Sequence, residues 1–204
     1  MLKLDPVRRA LLVGGASLAL LAGLGRAAAA VSVDQAQDFV EETIAELFAI
    51  ARSGADLPDQ RRAFRELLAR RMAVNAVART ILGPTWRAIS EAQRQAYLDA
   101  FQDYVAQKYG SRFDEFTQVK MEIIRATDRG DRGVVVESRA LLPNGETALV
   151  DWGVSDRGGQ ILISNIVVEG VSLVTSEREI VAGMLDRSGG NVERLIADLK
   201  AKGA

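Results

Sequence analysis

The sequence of 204 residues contains neither cysteine nor histidine. Without cysteine no disulfide can form, and nothing needs protection in an oxidising compartment. Without histidine as well, neither a Ser-His-Asp nor a Cys-His nucleophilic site can be built, nor a usual zinc site. An enzyme on this chain would have to work with carboxylates, Lys or Tyr alone. Charge in excess is also missing: 26 Lys and Arg face 27 Asp and Glu. That balance argues against general nucleic-acid binding. The length allows one or two domains at most, and no repeat or low-complexity segment follows the N-terminal region.

A membrane-spanning run is lacking too. Ala10 to Leu24 is apolar, but about fifteen residues fall short of the roughly 20 that a span needs. Lys3, Arg8 and Arg9 precede this run, and Ala28-Ala29-Ala30 follows it as an A-x-A cleavage site, so residues 1–30 read as a cleavable secretory signal. Arg8-Arg9 also permits a twin-arginine route, although the residues after the pair favour the general secretory one. Cleavage removes four cations (Lys3, Arg8, Arg9, Arg26) and one anion (Asp5), which leaves 22 basic against 26 acidic residues. A periplasmic protein of residues 31–204, monomeric and forming a single domain, is the expectation.

What the chain does have is concentrated between Ala78 and Phe113. This stretch holds Trp86 and all three tyrosines, Tyr97, Tyr104 and Tyr109. Ser90 with Gln93 is a capping box that opens a helix, and Gly83-Pro84 breaks the one before it. Small and aromatic residues then recur at spacings of three and four. Upstream, Asp34-x-x-Gln37 opens a helix with Val40, Ile44, Leu47 and Phe48 inward, and Gly54 ends it. Leu57-Pro58-Asp59 reads as a connection. The next helix puts Phe64, Leu67, Leu68 and Met72 inward and Arg61, Arg62, Arg65, Arg70 and Arg71 outward. That basic face is either solvated or a docking or lipid-surface patch.

Downstream the period changes from 3.6 to 2. Val119, Met121 and Ile123 alternate with charged residues, and strands over 133–142, about 148–154 and 160–169 follow, separated by Pro143-Asn144-Gly145 and Asp156-Arg157-Gly158-Gly159. The fourth strand has apolar residues on both parities. Short connections imply an antiparallel meander. Ser176-x-x-Glu179 reads as a capping box for one more helix, and Asn191 after Gly189-Gly190 caps the last. The fold class is α+β, with a four-stranded meander between N-terminal and C-terminal helices.

Several of these residues fall in a recognisable order. Ala78-Arg79-x-x-Leu82-Gly83-x-x-Trp86, then Ser90-x-x-Gln93-Arg94-x-x-Tyr97-x-x-x-Phe101, resembles the toluene-tolerance family of MlaC-like periplasmic phospholipid-binding proteins, which serve the Mla lipid-transport system. The likeness continues through Val168-Glu169-Gly170-Val171-Ser172-Leu173-Val174, Arg178, Gly189-Gly190 and Leu195-Ile196-x-x-Leu199, and covers nearly all of the chain after Asp34. The resemblance implies a twisted NTF2-like sheet wrapped by helices around an apolar cavity, a slot of ~1,000 Å³ at the upper end for ligand sites. It implies a non-enzymatic carrier without cofactor, whose phospholipid cargo passes between an inner-membrane MCE-type ABC transporter complex and an outer-membrane lipoprotein–porin complex, in the service of outer-membrane asymmetry. A branch associated with hopanoid or isoprenoid lipids is the alternative cargo.

On that resemblance the candidate lipid-binding wall takes Ile81, Trp86, Tyr97, Phe101, Tyr104 and Tyr109 from the helices. From the sheet it takes Val134, Val136, Val150, Trp152, Ile166 and Val168. As a bare pattern such residues are more often solid core. Arg79, Arg139 and Arg178 are candidates for a phosphate group, against the plainer reading of surface ion pairs. The rival function is a small NTF2-like acid–base enzyme with Tyr97 or Tyr104 as acid. It needs an inward carboxylate, and the pattern shows none. Asp151 and Asn165 are the nearest candidates, and relatives often carry Asp where Asn165 stands.

Overall fold

Six helices precede the sheet: α1 (Val33–Ala51), α2 (Leu57–Arg71), α3 (Val74–Leu82), α4 (Thr85–Ala88), α5 (Glu91–Gly110) and α6 (Phe113–Phe116). Five strands follow, β1 (Lys120–Asp128), β2 (Val134–Leu141), β3 (Thr147–Asp156), β4 (Ile161–Val168) and β5 (Val171–Ser172), then α7 (Leu173–Arg187) and α8 (Val192–Gly203). The computed structural model describes residues 31–204, and the expected signal segment lies outside them. The strands form one antiparallel sheet in sequence order, so the α+β meander is present with one strand more than expected. The extra strand is only two residues long, too short to show a period. It turns back from β4 through Glu169-Gly170, both at positive φ (49 and 78), as a two-residue hairpin requires.

Several ends differ from their sequence reading. The capping box of α1 is Ser32 with Gln35, so the helix starts before Asp34. Leu57-Pro58-Asp59 is the first turn of α2, with Asp56 as its cap. For α7 the cap is Ser172 rather than Ser176, and the Asn165 side chain accepts from Ser172 Oγ (3.1 Å) and Val174 N (3.4 Å) to hold that start against β4. The capping box at Ser90 and the cap at Asn191 stand where the sequence puts them.

The sheet turns one face towards the helices. In register across it lie Met121 and Ala140, Val136 and Trp152, Ser138 and Val150, then Trp152 and Ile166, Val150 and Val168. The mixed parity of β4 has a local cause. A register shift after Gly153 puts Ile163 and then Ile166 and Val168 on the same inner face, although their parities differ. A second shift in β1, between Ile123 and Arg125, leaves Ile124 facing out, 43% exposed. The outer edge of β4 is covered by the α2–α3 junction, where Ala73 N donates to Ile163 O at 2.9 Å.

Three apolar clusters result. One joins α3, α5, α7 and α8, a second joins α1 to the sheet, and a third joins α1, α2, α5 and α6. The basic face of α2 is mostly committed within the fold. Arg65 pairs with Asp103 of α5 (2.5 Å), Arg70 with Glu46 of α1 (3.0 Å), Arg62 with Asp59 (2.8 Å), and Arg71 with both Glu42 and Glu46. The more exposed of these pairs stabilise little, and Arg71, its side chain 19% exposed, is the least solvated of the four.

Gly133, at φ 82, immediately precedes β2, and a Cβ there would stand 2.1 Å from Val154 O. Gly133→Ala should therefore destabilise by more than about 3 kcal/mol in urea unfolding. Gly54→Ala, also at positive φ but facing open space, should cost only about 1 kcal/mol. Equal losses would show that backbone conformation, not the contact with β3, restricts Gly133.

Candidate functional site

The three clusters do not close on one another. Between them lies a cavity of about 520 Å³, roughly half the expected slot, with an almost wholly apolar surface. Its floor is the inner sheet face at Ala140, Ala148, Val150, Trp152, Ile166 and Val168. Its walls are Ile44, Leu47 and Phe48 of α1, Leu67 and Met72 at α2, and Phe101, Val105 and Tyr109 of α5. Phe113 and Phe116 of α6 close one side, and Leu173, Val174 and Glu177 of α7 another.

Seven of the twelve candidate wall residues stand on this surface: Ile81, Phe101, Tyr109, Val150, Trp152, Ile166 and Val168. The other five do not, and each has a packing reason. Tyr97 is fully buried between helices, stacks on Phe101 (5.9 Å) and donates its hydroxyl to Ala78 O at 3.3 Å. Trp86 packs edge-on to Tyr97 beneath the Arg94 guanidinium. Tyr104 faces α7. Val134 and Val136 lie on the correct sheet face but at its other end, where α1 lies on them and leaves no space.

The residues that the sequence reading left out include all those of α1, α2 and α6. Ile44, Leu47, Phe48 and Leu67 were legible as inward positions. What periodicity could not say is which inward positions meet other side chains and which meet a void.

The polar groups at the wall satisfy one another. Trp152 Nε1 donates to Ser138 Oγ (2.9 Å), and Ser138 Oγ donates to Val150 O (2.9 Å), so the one hydroxyl under the floor is used up. Glu177 is the inward carboxylate that the pattern did not show. It is 4% exposed and accepts from Tyr104 Oη (3.0 Å), Tyr109 Oη (2.6 Å) and Lys108 Nζ (2.5 Å), all from α5. Asp151 is paired with Glu137 across β2 and β3 on the opposite sheet face; burial and the Glu137 charge raise its pKa, but it does not reach the cavity. Arg79, Arg139 and Arg178 are exposed, off the cavity and, among the described residues, without an ion pair, so the surface ion-pair reading is not met. Arg112 is the exposed cation that does line the cavity. Among the described residues there is no acidic cluster suited to a metal, and no helix long and apolar enough to cross a membrane.

Burial holds the Tyr97 hydroxyl well above its ordinary range, with the Glu177 charge adding to it. Burial and the Glu177 hydrogen bond do the same to Tyr109, and burial and the Glu177 charge to Tyr104. For Lys108 burial pulls the ammonium down, but Glu177 outweighs it and the net direction is up. All four keep their protons longer in the folded chain than in the unfolded one. Their contribution to stability is full below the ordinary values near 10 and is lost as pH rises through the folded values. Urea unfolding should thus show stability falling steadily above about pH 10. Combining Tyr97→Phe with Tyr109→Phe should flatten that fall; an unchanged slope would assign it to other groups.

A sequence model described as "MlaC protein" matches residues 37–201. Among solved structures, the chain is similar to a phospholipid-binding protein from Ralstonia solanacearum, determined in complex with a phospholipid. The TM-score is 0.71 at 19% identity, with 82% of this chain and 96% of that one covered, a likeness of fold. With the family match spanning most of its length, the chain belongs to the MlaC family.

Proposed function

We propose that this protein carries a phospholipid by its acyl chains, taking them into the cavity between sheet and helices and leaving the polar head at the mouth. The observation that carries the reading is the cavity's nearly unbroken apolar surface. A bilayer interior and such a cavity are both apolar, so transfer between them is close to neutral. Exposure to water costs about 0.8 kcal/mol per CH₂, and tens of methylenes make unaided crossing very slow. A carrier needs that slot and a way to open, not a cofactor or reaction chemistry. Glu177, the one carboxylate at the wall, is already engaged by three donors, which favours binding over acid–base work.

Family membership supports the wider setting. In this reading the signal segment is removed after Ala30. The monomer then shuttles across the periplasm between an inner-membrane MCE-type ABC transporter complex and an outer-membrane lipoprotein–porin complex. The seven wall residues named above are the ones that touch the chains.

Protein purified without detergent should carry about one diacyl phospholipid, read by native mass spectrometry and lipid extraction. A hopanoid or isoprenoid mass would select the other cargo, and bare polypeptide unable to take lipid from vesicles would sink the carrier reading. Two substitutions then separate slot from core. Val150→Trp adds bulk to the cavity floor and should abolish lipid uptake with little loss of stability. Val136→Trp overpacks a filled site and should cost at least the 1–3 kcal/mol typical of such changes. Equal destabilisation by both would mean that Val150 does not face open space.

A further inference from the structure

The Glu177 cluster stands at a border. On α7, Leu173 and Val174 before it line the cavity, while Val181 and Met184 after it are packed in the closed helical core. On α5, Tyr109 lines the cavity and Tyr104 is buried in that core, with Phe101 and Val105 beside it also on the cavity wall. Lys108 gives the outer limit: its side chain is 34% exposed, whereas that of Glu177 is 5%. Between cavity and water this part of the wall is therefore about one layer of side chains thick. The backbone of α7 packs on α3, α8 and β4, and that of α5 on α2, α3 and α8. Where α5 and the start of α7 face each other, the polar cluster spans the gap.

An apolar seam would not serve well here. Hydrocarbon cargo and Leu or Val side chains are interchangeable to the hydrophobic effect, so a chain end could insert between two apolar helix faces at little cost. A carboxylate bound to two phenols and an ammonium offers no such exchange. Parting them against hydrocarbon leaves buried polar groups without partners, which is expensive.

We propose that Glu177, with Tyr104, Lys108 and Tyr109, is a clasp that seals the α5–α7 side of the cavity, so that cargo is retained until this seam or the mouth is opened. This rests on the carrier reading for its cargo, though not for its geometry. The first test is retention. Protein loaded with a fluorescent phospholipid is mixed with acceptor vesicles and no partner proteins. Glu177→Leu with Lys108→Met, an apolar seam, should release lipid at least tenfold faster than the unaltered protein. Glu177→Gln, which keeps acceptors for the tyrosines but loses the ion pair, should fall between. Leu199→Ala, which cuts a fully buried contact of the helical core away from the cavity lining, supplies a control of comparable melting-temperature loss. It should release at the unaltered rate.

Equal retention by the apolar-seam variant, or equally fast release from Leu199→Ala, would overturn the clasp. The second test needs no lipid. In lipid-free protein, amide hydrogen exchange over 173–177 should quicken at least tenfold in Glu177→Gln, with α8 unchanged. Unchanged exchange there would also overturn it. If the unaltered protein takes up no lipid at all, the carrier reading fails, and the exchange result alone decides whether the seam is held by Glu177.

Discussion

The structure depends on keeping a void open. Protein interiors close to the density of organic crystals, and side chains beside a gap lose their dispersion contacts. A 174-residue stretch that simply collapsed its apolar residues would fill a space of 520 Å³. Here the collapse is divided. The bundle of α3, α5, α7 and α8 is completed by Tyr97, Leu195 and Leu199, the α1–sheet layer by Val40, Val136 and Val154, and the α1–α2–α5–α6 corner by Leu67 and Phe113. Each cluster is closed by its own side chains, and α5 contributes to two of them. The cavity is the volume where three finished cores converge without merging.

The same division explains the chemistry of the lining. A void surrounded by backbone and polar side chains would fill with water. Here Ser138, Trp152 and the Val150 carbonyl satisfy one another, as do Glu177, Tyr104, Tyr109 and Lys108. Apart from Arg112, what remains facing the space is nearly all hydrocarbon and aromatic surface. Such a surface recognises hydrophobic bulk and little else, in keeping with a binder of chains.

Much of the architecture was legible in the sequence because it depends on local rules. Capping boxes, Gly-rich turns and the change of period at Val119 gave the helices, the meander and most of its boundaries. Misplaced ends came from competing caps: Ser172 and Ser176 both precede suitable residues, and contact with Asn165 on β4 favours the first. That error hid Glu177. With α7 started at Leu173, the run Glu177, Val181, Met184 is a single buried stripe at spacings of four and three. The wall was only half legible because a period gives direction, not distance to the next atom. Val136 and Val150 point to the same face of the sheet, but α1 rests on one and the cavity on the other. Helix α5 was hardest, since α8 and α2 cover it on different sides and its aromatics have more than one interior to face.

On the carrier reading, this geometry also limits what the protein can decide. A non-directional apolar slot binds chains about as well as a bilayer does, so its affinity sets no direction of travel. Direction must then come from whatever changes the barrier to entry and exit at each end. In this fold the barrier has identifiable parts. The floor is fixed by strand pairing on both sides of β3, and the α1 and α2 walls are tied to each other by Arg70 and Arg71 on Glu46. The start of α7 is held differently, by a two-residue strand, the Asn165 contacts and the Glu177 cluster. These contacts are polar, as are the Arg70 and Arg71 pairs, so a competing donor or acceptor presented by a docking surface can replace them one for one, which no purely apolar contact allows. The start of α7 thus carries such exchangeable ties at the cavity lining itself, through Glu177.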